Sequence, residues 1–382
     1  MIFRILEDQV AQRFQQARAD DFRFMQLALA LGARGLGRTW PNPAVGAVLV
    51  KDGVIVGRGW TAPGGRPHAE PQALARAGEA ARGATLYVTL EPCSHFGRSP
   101  PCADAIIAAG VARVVSAIED PNPEVAGQGH ARLRAAGIKV DVGLCMDEAA
   151  HAHAGHFRRV RDGRPNVTLK LAVSADGKIG LSGRRPVALT ADAANAQVHL
   201  LRARHDAILI GIGTARADDP MLNCRLPGME DRSPVRVVLD THLRLSPAGR
   251  LAKSARQIPL WVMASEVAEA PAAALLAAEG AKVHRVPGDI ASGTNLPAVL
   301  GALAGEGITR LLVEGGARVA AAFLVAGLVD KVYLFRTPQT VGPDGVPALD
   351  ALPLETITAS PAFRVHATTQ LGPDTLTIYR RA

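Results

Sequence analysis

Short apolar runs alternate with amphipathic stretches through the first half of the chain. This pattern predicts strands alternating with helices, and a turn at Lys51-Asp52-Gly53 separates the first two strands. The predicted elements are a helix over Phe22–Leu31, strands over Ala44–Val50 and Val54–Gly59, a helix over Pro71–Ala81, a strand over Leu86–Leu90, a helix over Ala103–Ala109, a strand over Val111–Ile118, a helix around Ala131–Ala136 and a strand over Ile138–Val142. Such an alternation indicates a three-layer α/β/α sandwich.

A change in composition then divides the chain. Arg158–Arg164 is basic and lacks apolar periodicity, and Pro165 precedes a new strand, so we place a boundary at Gly163–Pro165. Beyond it we predict strand Val167–Val173, helix Asp192–Arg202, strands Ile208–Gly211, Val235–Leu239 and Pro259–Met263, helix Val267–Ala278, strand Lys282–Val286, helix Leu296–Leu303, strand Arg310–Val313, helix Val319–Ala326 and strands Val332–Phe335, Phe363–Ala367 and Thr375–Tyr379. The chain thus divides into an extension, residues 1–20, and α/β domains at 21–163 and 164–382.

Histidine, glutamate and cysteine residues in the first domain carry the strongest chemical signal. His68-Ala69-Glu70 is followed by Pro92-Cys93 and then by Cys102. Zn²⁺ binds histidine nitrogen and cysteine thiolate, and three protein ligands leave a fourth position for water, which the metal acidifies into a nucleophile. Glu70 is close enough in sequence to transfer protons without being a ligand. This order of residues is the signature of the zinc-dependent nucleobase deaminases.

The alternative interpretation is two unrelated reduced cysteines and a surface histidine. His68 and Cys102 are each predicted at a helix start, and Cys93 follows a predicted strand, so the three side chains would converge above strand ends. Positive helix termini also favour thiolate over thiol. This context favours the metal site. Eight residues separate the two cysteines where the general deaminase pattern has two, so residues 94–101 are predicted to form a loop.

Two glycine-containing segments of the second domain are candidates for phosphate binding. Gly211–Arg216 begins like a dinucleotide fingerprint, but it lacks the third glycine and the helix that should follow, which disfavours a standard Rossmann domain. Glu314-Gly315-Gly316 is predicted to end a strand and start a helix, where backbone N–H groups bind phosphate readily. The alternative for this second segment is a tight turn without a ligand.

Composition narrows the class of protein without identifying a reaction. The 382 residues are 48% hydrophobic and 20% charged, which is typical of a globular enzyme. The net charge of +8 suits phosphorylated ligands, or it reflects a merely basic surface. Aromatic residues make up 4% of the chain and no basic run is interleaved with them, so we expect no nucleic-acid partner. No apolar run predicts a membrane span or a secretory signal, and the cytoplasm is the expected location.

Several motifs together resemble one known family, the bifunctional deaminase/reductase of riboflavin biosynthesis. In the first domain they are Pro41–Gly46, His68–Glu70, Tyr87–His95, Pro100–Cys102 and Asp120–Pro123. In the second they are Lys170–Lys178, Leu201–Ala203, Gly211–Thr214, Ala217–Leu222 and Val313–Gly316. The long insertion between the cysteines is that family's own pattern. The resemblance implies a cytidine-deaminase-like domain followed by a dihydrofolate-reductase-like domain.

The resemblance also implies reactions, cofactors and site residues. Zinc would serve deamination of 2,5-diamino-6-(5-phosphoribosylamino)pyrimidin-4-one, and NADPH would then reduce the ribosyl group to ribityl. In the deaminase, zinc would be held by His68, Cys93 and Cys102, Glu70 would be catalytic, and Asn42 would face the pyrimidine. His95 and Arg98 lie in the loop between the cysteines, and both could hold the ribose phosphate, because a loop that closes over the site is a natural place for cationic donors. In the reductase, NADPH would be bound by Ala172, Thr214, Asp218 and Gly316, and the substrate by Arg202, Leu222, Arg225 and Glu314. A homo-oligomer is expected.

Other residues retain ordinary structural interpretations. Asn42 could be a turn residue, and His95 could lie in a solvated loop. Asp120–Pro123 is predicted to be a rigid structural turn. His151, His153 and His156 are predicted to form an exposed helix face rather than a second metal site.

The sequence departs from the family pattern at one position, and two alternative functions remain open. Ala188 stands where the family usually has an aromatic residue, from which we expect weaker cofactor binding. The first alternative is a zinc deaminase of another nucleobase, whose second half is a binding module or an inactive reductase. The second is a structural or regulatory protein with a relict metal site, against which an intact Glu70 argues.

Overall fold

The computed structural model describes residues 19–97, 100–181, 189–288 and 295–382. The chain forms two compact units, the first ending at Asp162 and the second beginning at Gly163. Within the described residues, no helix has both the length and the apolar character needed to cross a membrane.

The first unit is built on one five-stranded sheet with the strand order β2-β1-β3-β4-β5. Its elements are α1 (19–32), β1 (Gly46–Lys51), β2 (Val54–Trp60), α2 (Ala69–Ala77), β3 (Thr85–Val88), α3 (Cys102–Ala108), β4 (Arg113–Ser116), α4 (Gln128–Ala135), β5 (Lys139–Val142), α5 (Met146–Ala152) and α6 (Ala154–Asp162). β1 is antiparallel to both of its neighbours, whereas β3, β4 and β5 are parallel.

Helices cover both faces of this sheet because its interior strand β1 is apolar on both sides. Ala47 and Leu49 of β1 pack with residues of α2, α3 and α4, while Val48 and Val50 pack with residues of α1 and α5. Successive side chains of a strand point to opposite faces, so one buried strand serves two hydrophobic layers. The predicted three-layer sandwich is confirmed.

The second unit contains a nine-stranded sheet with the order β11-β10-β9-β8-β12-β6-β13-β16-β15, and a small ladder of β14 with β7. Its elements are β6 (Asn166–Val173), β7 (Lys178–Leu181), α7 (Asp192–Ala203), β8 (Ala207–Gly211), α8 (Ile212–Asp218), β9 (Val235–Leu239), α9 (Arg250–Lys253), β10 (Leu260–Ser265), α10 (Ala270–Ala278), β11 (Lys282–Val286), α11 (Leu296–Gly305), β12 (Arg310–Gly315), α12 (Ala317–Val325), β13 (Lys331–Arg336), β14 (Gly345–Pro347), α13 (Glu355–Thr358), β15 (Phe363–Leu371) and β16 (Asp374–Arg381).

The strands from β11 to β13 are parallel, and the last two strands of the chain close the sheet as an antiparallel pair. One core cluster joins Val198 and Leu201 of α7 to Ile208, Leu312 and Phe335 of three strands. The predicted α/β class of this unit is confirmed. The short elements β7, α9, β14 and α13 were not predicted, since each is too short to show a hydrophobic period.

An ion pair fixes the first strand of the second unit. Arg164 donates to both carboxylate oxygens of Asp330, at 2.7 and 2.9 Å, and the N–H of Val167 donates to the same carboxylate at 2.8 Å. The Arg164 and Asp330 side chains are 15% and 5% exposed. Two parallel guanidinium–carboxylate hydrogen bonds set both distance and orientation, so the pair determines where β6 begins.

Gly46 permits close contact between α1 and β1, and its replacement tests this contact. A Cβ at Gly46 would lie 1.8 Å from the carbonyl oxygen of Ala28, a backbone atom that cannot move aside cheaply. We expect Gly46→Ala to lower the free energy of unfolding by about 3 kcal/mol, measured by denaturant titration. Gly53→Ala is the control, because no atom lies within 4 Å and only its positive φ of 76° costs energy, about 1 kcal/mol. Equal losses in the two variants would contradict the steric explanation.

Two candidate active sites

The first site forms where the turn after β3 meets the starts of two helices. His68 is the residue that precedes α2, Cys102 is the first residue of α3, and Cys93 lies in the turn after β3. The prediction that His68 and Cys102 lie at helix starts is confirmed. The N–H of Cys102 donates to the sulfur of Cys93 at 3.3 Å, which links the two cysteines despite the long loop between them.

The ligand atoms of these three residues converge on one point. Nδ1 of His68 lies 3.3 Å from Sγ of Cys102 and 3.8 Å from Sγ of Cys93, and all three atoms lie within 4.8 Å of one another. A tetrahedral zinc site with ordinary Zn–N and Zn–S bonds separates nitrogen from sulfur by about 3.6 Å. The donor set and its spacing therefore fit Zn²⁺.

The ionisation of the cluster also fits a cation. A hydrogen bond from Cys102 lowers the pKa of Cys93 to about 4, and the same hydrogen bond raises the pKa of Cys102. Hydrogen bonding to Cys93 raises the pKa of His68. A divalent cation at this point would take the place of the protons that these hydrogen bonds share.

Glu70 lies in the first turn of α2, two residues after His68, and is 3% exposed. Burial raises the pKa of Glu70, and the positive charge of His68 offsets only part of that effect. A buried carboxyl group beside the metal-ligand cluster is placed to accept and return a proton.

A cavity of about 240 Å³ opens in front of the cluster. Its polar lining includes Asn42, Thr61, Arg66, His68, Glu70, Glu91, Cys93, His95, Asp120, Asn122, His156 and Arg159. The predicted residues Asn42 and His95 both line this cavity. The Asn42 side-chain amide donates to the carbonyl of Gly65 at 2.9 Å. Arg98, the remaining predicted contact, lies outside the described residues.

The sequence analysis did not predict that residues of α6 and of the segment after β4 line this cavity. The prediction that His153 and His156 lie on an exposed helix face is wrong, since His153 is 2% exposed and the His156 side chain 11%. Nε2 of His153 lies 3.0 Å from the carbonyl of Thr89, and Nε2 of His156 lies 3.0 Å from the carboxylate of Asp120. Asp120, predicted to be purely structural, therefore also forms part of the cavity wall.

The second site is a cavity of about 430 Å³ in the second unit. Its lining includes five predicted residues: Ala172, Thr214, Asp218, Glu314 and Gly316. Gly316 has a φ of 83° between β12 and α12, and a Cβ there would lie 3.2 Å from the Thr214 hydroxyl oxygen. The predicted strand–glycine–helix turn is thus present, and its residues Gly315, Gly316 and Ala317 line the cavity at the start of α12, where backbone N–H groups can bind phosphate.

The prediction that Gly211–Arg216 lacks a helix is wrong. α8 begins at Ile212, directly after β8, and runs to Asp218. Thr214 and Asp218 lie four residues apart, on one face of this helix, and both line the cavity. Ala215 is buried, and its packing offsets the helix-breaking tendency of Gly213.

An ion pair at the wall of the second cavity joins two predicted substrate contacts. Arg202 donates to both oxygens of Glu314, at 3.0 and 2.5 Å, and also to the carbonyl of Asn223 at 3.1 Å. Burial opposes ionisation of Glu314, but the charge and hydrogen bonds of Arg202 together with the charges of Lys170 and His199 outweigh it and lower the pKa of Glu314. Lys170 lines the same cavity, and burial lowers its pKa. Lys170 was not predicted as a site residue, although a lysine inside an otherwise apolar strand was a signal for one.

The remaining predicted reductase residues lie apart from this lining. Arg202, Leu222 and Arg225 are not among the described residues that line the cavity. Leu222 is buried with a φ of 51°, and Arg225 is exposed and donates to the side chain of Asn223 at 2.9 Å. Ala188 lies outside the described residues.

Comparison with known proteins identifies the family. Residues 165–377 match the family described as RibD C-terminal domain, and residues 18–118 match the cytidine and deoxycytidylate deaminase zinc-binding region. The chain belongs to the RibD family. The riboflavin biosynthesis protein RibD of Aquifex aeolicus is 40% identical over 366 residues, covering 94% of this chain and 98% of the relative. RibD of Escherichia coli is also 40% identical, covering 93% and 97%.

Solved structures of the RibD family agree over nearly the whole chain. Acinetobacter baumannii RibD matches with a TM-score of 0.84 and 36% identity, covering 96% of this chain and 99% of that one. A Thermotoga maritima diaminohydroxyphosphoribosylaminopyrimidine deaminase/5-amino-6-(5-phosphoribosylamino)uracil reductase matches with a TM-score of 0.83 and 34% identity, covering 96% and 100%. The resemblance drawn from the motifs is confirmed, and this RibD-family chain is a bifunctional riboflavin-biosynthesis enzyme with deaminase and reductase domains.

The Arg202–Glu314 pair predicts a selective effect on reduction. Arg202→Ala removes a predicted charged contact to the substrate, a loss that corresponds to roughly 100-fold in rate, and it leaves the buried Glu314 carboxylate without its guanidinium partner. We expect reduction to fall by that factor and deamination to stay unchanged, because Arg202 and the zinc-type cluster belong to different units. Steady-state assays of both reactions measure this. Arg204→Ala, at an exposed position just after α7, is the control. Equal losses of both activities in Arg202→Ala would contradict the assignment.

Proposed function

We propose that the first unit deaminates 2,5-diamino-6-(5-phosphoribosylamino)pyrimidin-4-one with zinc, and that the second reduces the deaminated product with NADPH. The convergence of His68, Cys93 and Cys102 beside the buried Glu70 carries this proposal. Membership in the RibD family and the second, separate cavity support it. The product of the first reaction is then the substrate of the second.

In the deaminase, the protein supplies ligands, a proton carrier and a shaped cavity. His68, Cys93 and Cys102 would hold zinc, which supplies an acidified water as the nucleophile. Glu70 would pass one proton of the water to a ring nitrogen and then carry the other to the exocyclic amino nitrogen, which leaves as ammonia while a carbonyl replaces it. Asn42, held by Gly65 and lining the cavity, is our candidate to orient the pyrimidine, and His95 would contact the substrate near the metal.

In the reductase, the protein mainly aligns two ligands. NADPH would supply the hydride, and the protein would direct it to C1′ of the ribosyl group. Ala172, Thr214, Asp218 and the turn at Gly316 would bind the cofactor, since they line one cavity at the start of α12. We propose that the remaining four residues contact the sugar-phosphate substrate. They are Arg202, Leu222, Arg225 and Glu314, and Arg202 forms an ion pair with Glu314.

Product analysis tests the proposed sequence of reactions. The diaminopyrimidine substrate is incubated with the zinc-loaded protein, with and without NADPH, and the products are identified by mass spectrometry. We expect exchange of one amino group for a carbonyl oxygen without NADPH, and a further gain of two hydrogens with it. Deamination that never leads to reduction would instead favour a deaminase whose second unit is a binding module. The expected homo-oligomer stays a prediction.

Glu70→Gln and Cys93→Ser separate the catalytic role from the ligand role. We expect Glu70→Gln to keep its zinc and to lose at least about 100-fold in deamination rate, because it removes the proton carrier and no ligand. Cys93→Ser should lose both zinc and activity, because it removes a thiolate ligand. Zinc is measured by elemental analysis and deamination by ammonia release. Near-normal activity in Glu70→Gln, or unchanged zinc in Cys93→Ser, would refute the corresponding role.

A further inference from the structure

A short segment of the second unit, residues 218–222, carries two of the proposed ligand contacts. Asp218, the last residue of α8, lines the second cavity, and Leu222, four residues later, is a proposed contact to the substrate. The three residues between them have no role in the proposed function. The positions of both contacts therefore depend on what holds this segment in place.

The segment contains two non-glycine residues with a left-handed backbone. Asp219, directly after α8, has a φ of 38° and a ψ of 57°, and Leu222 has a φ of 51°. Residues with a Cβ rarely adopt positive φ, although aspartate and asparagine do so more readily than others. Such a conformation persists only where the surrounding structure fixes it, so contacts outside the segment must stabilise it.

A hydrogen bond to the start of α9 provides one such contact. Oδ1 of Asp219 accepts the backbone N–H of Arg250, the first residue of α9, at 2.8 Å. A Cβ built at Gly249 would lie 3.1 Å from the same oxygen, so the glycine leaves room for this close approach. The Asp219 carboxylate thus connects the segment to a helix 31 positions further along the chain.

Arg236 of β9 holds both α9 and the far end of the segment. Its guanidinium donates to the carbonyl of Met221 at 3.4 Å, to the carbonyl of Leu251 at 3.3 Å and to the hydroxyl of Ser254 at 2.7 Å. Arg236 is fully buried, and Leu222 and Leu251 belong to one hydrophobic core cluster. The helix α9 is therefore a fixed support for the segment.

We propose that Asp219 is a positioning residue of the reductase, whose carboxylate, bonded to the N–H of Arg250, holds Asp218 at the cofactor cavity and Leu222 at the substrate. The inference rests on the proposed function, because it explains how two contacts of that function are held in place. Without this hydrogen bond the segment adopts the binding conformation for only part of the time, and the apparent affinity for each ligand falls by that fraction. The expected signature is weaker binding at a nearly unchanged kcat.

Substitutions of Asp219 in the full-length, zinc-loaded protein test the role of the carboxylate. Asp219→Ala removes the acceptor and places alanine at a positive φ, so we expect the KM values for NADPH and for the deaminated substrate to rise about 10-fold. The Kd of NADPH, measured by nucleotide fluorescence without turnover, should rise equally. Asp219→Asn keeps an oxygen acceptor and tolerates the same backbone, so its constants should stay within about twofold of wild type. Asp52→Ala, at a φ of 51° in the first unit, is the control for backbone strain and should change neither constant.

Substitutions of Arg250 remove the other partner of the hydrogen bond. Arg250→Pro eliminates the N–H, and proline fits the first position of a helix. Gly249, at φ −71° and ψ 160°, already has the extended conformation that a residue before proline requires. Arg250→Ala is the matched control, because it keeps the N–H and removes only the side chain, whose contact with the Asp219 carbonyl is 3.5 Å long. We expect Arg250→Pro to weaken binding as Asp219→Ala does, the double variant to bind no more weakly than Asp219→Ala, and Arg250→Ala to bind as wild type does.

Deamination, followed in every variant, should stay unchanged and reports on folding of the chain, because the zinc-type cluster belongs to the first unit. Wild-type KM and Kd values in Asp219→Ala, a loss confined to kcat, or an equal loss in Asp219→Asn would overturn the inference, and so would additive losses in the double variant. A wild-type protein that binds NADPH without reducing the deaminated product would instead contradict the proposed function, and the Kd values of the variants would still decide the inference.

Discussion

Both candidate sites lie at the carboxyl ends of parallel strands and include residues at the starts of helices. In the first unit, Cys93 follows β3 and Asp120 follows the adjacent β4, while Cys102 opens α3. In the second, β12 turns at Gly316 into α12, and the neighbouring β8 leads into α8. The first N–H groups of a helix have no partner within it, so anionic ligands and thiolates are stabilised at these points. A parallel sheet gathers several such helix starts at one edge.

A buried carboxylate keeps the two strand ends of the deaminase together. Glu91, two residues before Cys93, accepts backbone hydrogen bonds from Asp120 at 3.3 Å, Gly127 at 3.0 Å and His130 at 3.1 Å. These three donors satisfy a charge that would be costly to bury without partners. The turn that carries the cysteine and the segment that carries the far cavity wall therefore form one rigid unit.

The sequence predicted the metal cluster better than the cavity around it. His68, Glu70, Cys93 and Cys102 occupy positions set by local structure, namely helix starts and a strand end, so their spacing alone indicated convergence. His156 and its neighbours on α6 reach the cavity only through tertiary packing, which no local pattern reveals. The nearby arginines suggested an exposed face, yet Arg159 lines the cavity, and Arg158 forms an ion pair with Asp162. Helix α8 was missed because the segment was compared with a dinucleotide fingerprint whose third glycine it lacks, and the burial of Ala215 within this helix is a tertiary feature.

The ion pair between Arg164 and Asp330 bears on how the two domains of such chains can be fused or separated. The residue that follows the boundary glycine is fastened by a partner 166 positions further along, and both belong to the second unit. The first strand of the nine-stranded sheet thus finds its anchor without any residue that precedes Gly163. A gene could therefore be cut or joined just before the codon for Arg164 without removing the ion pair that anchors β6. The fold of the second unit thus permits both fusion of the two activities in one chain and their separation.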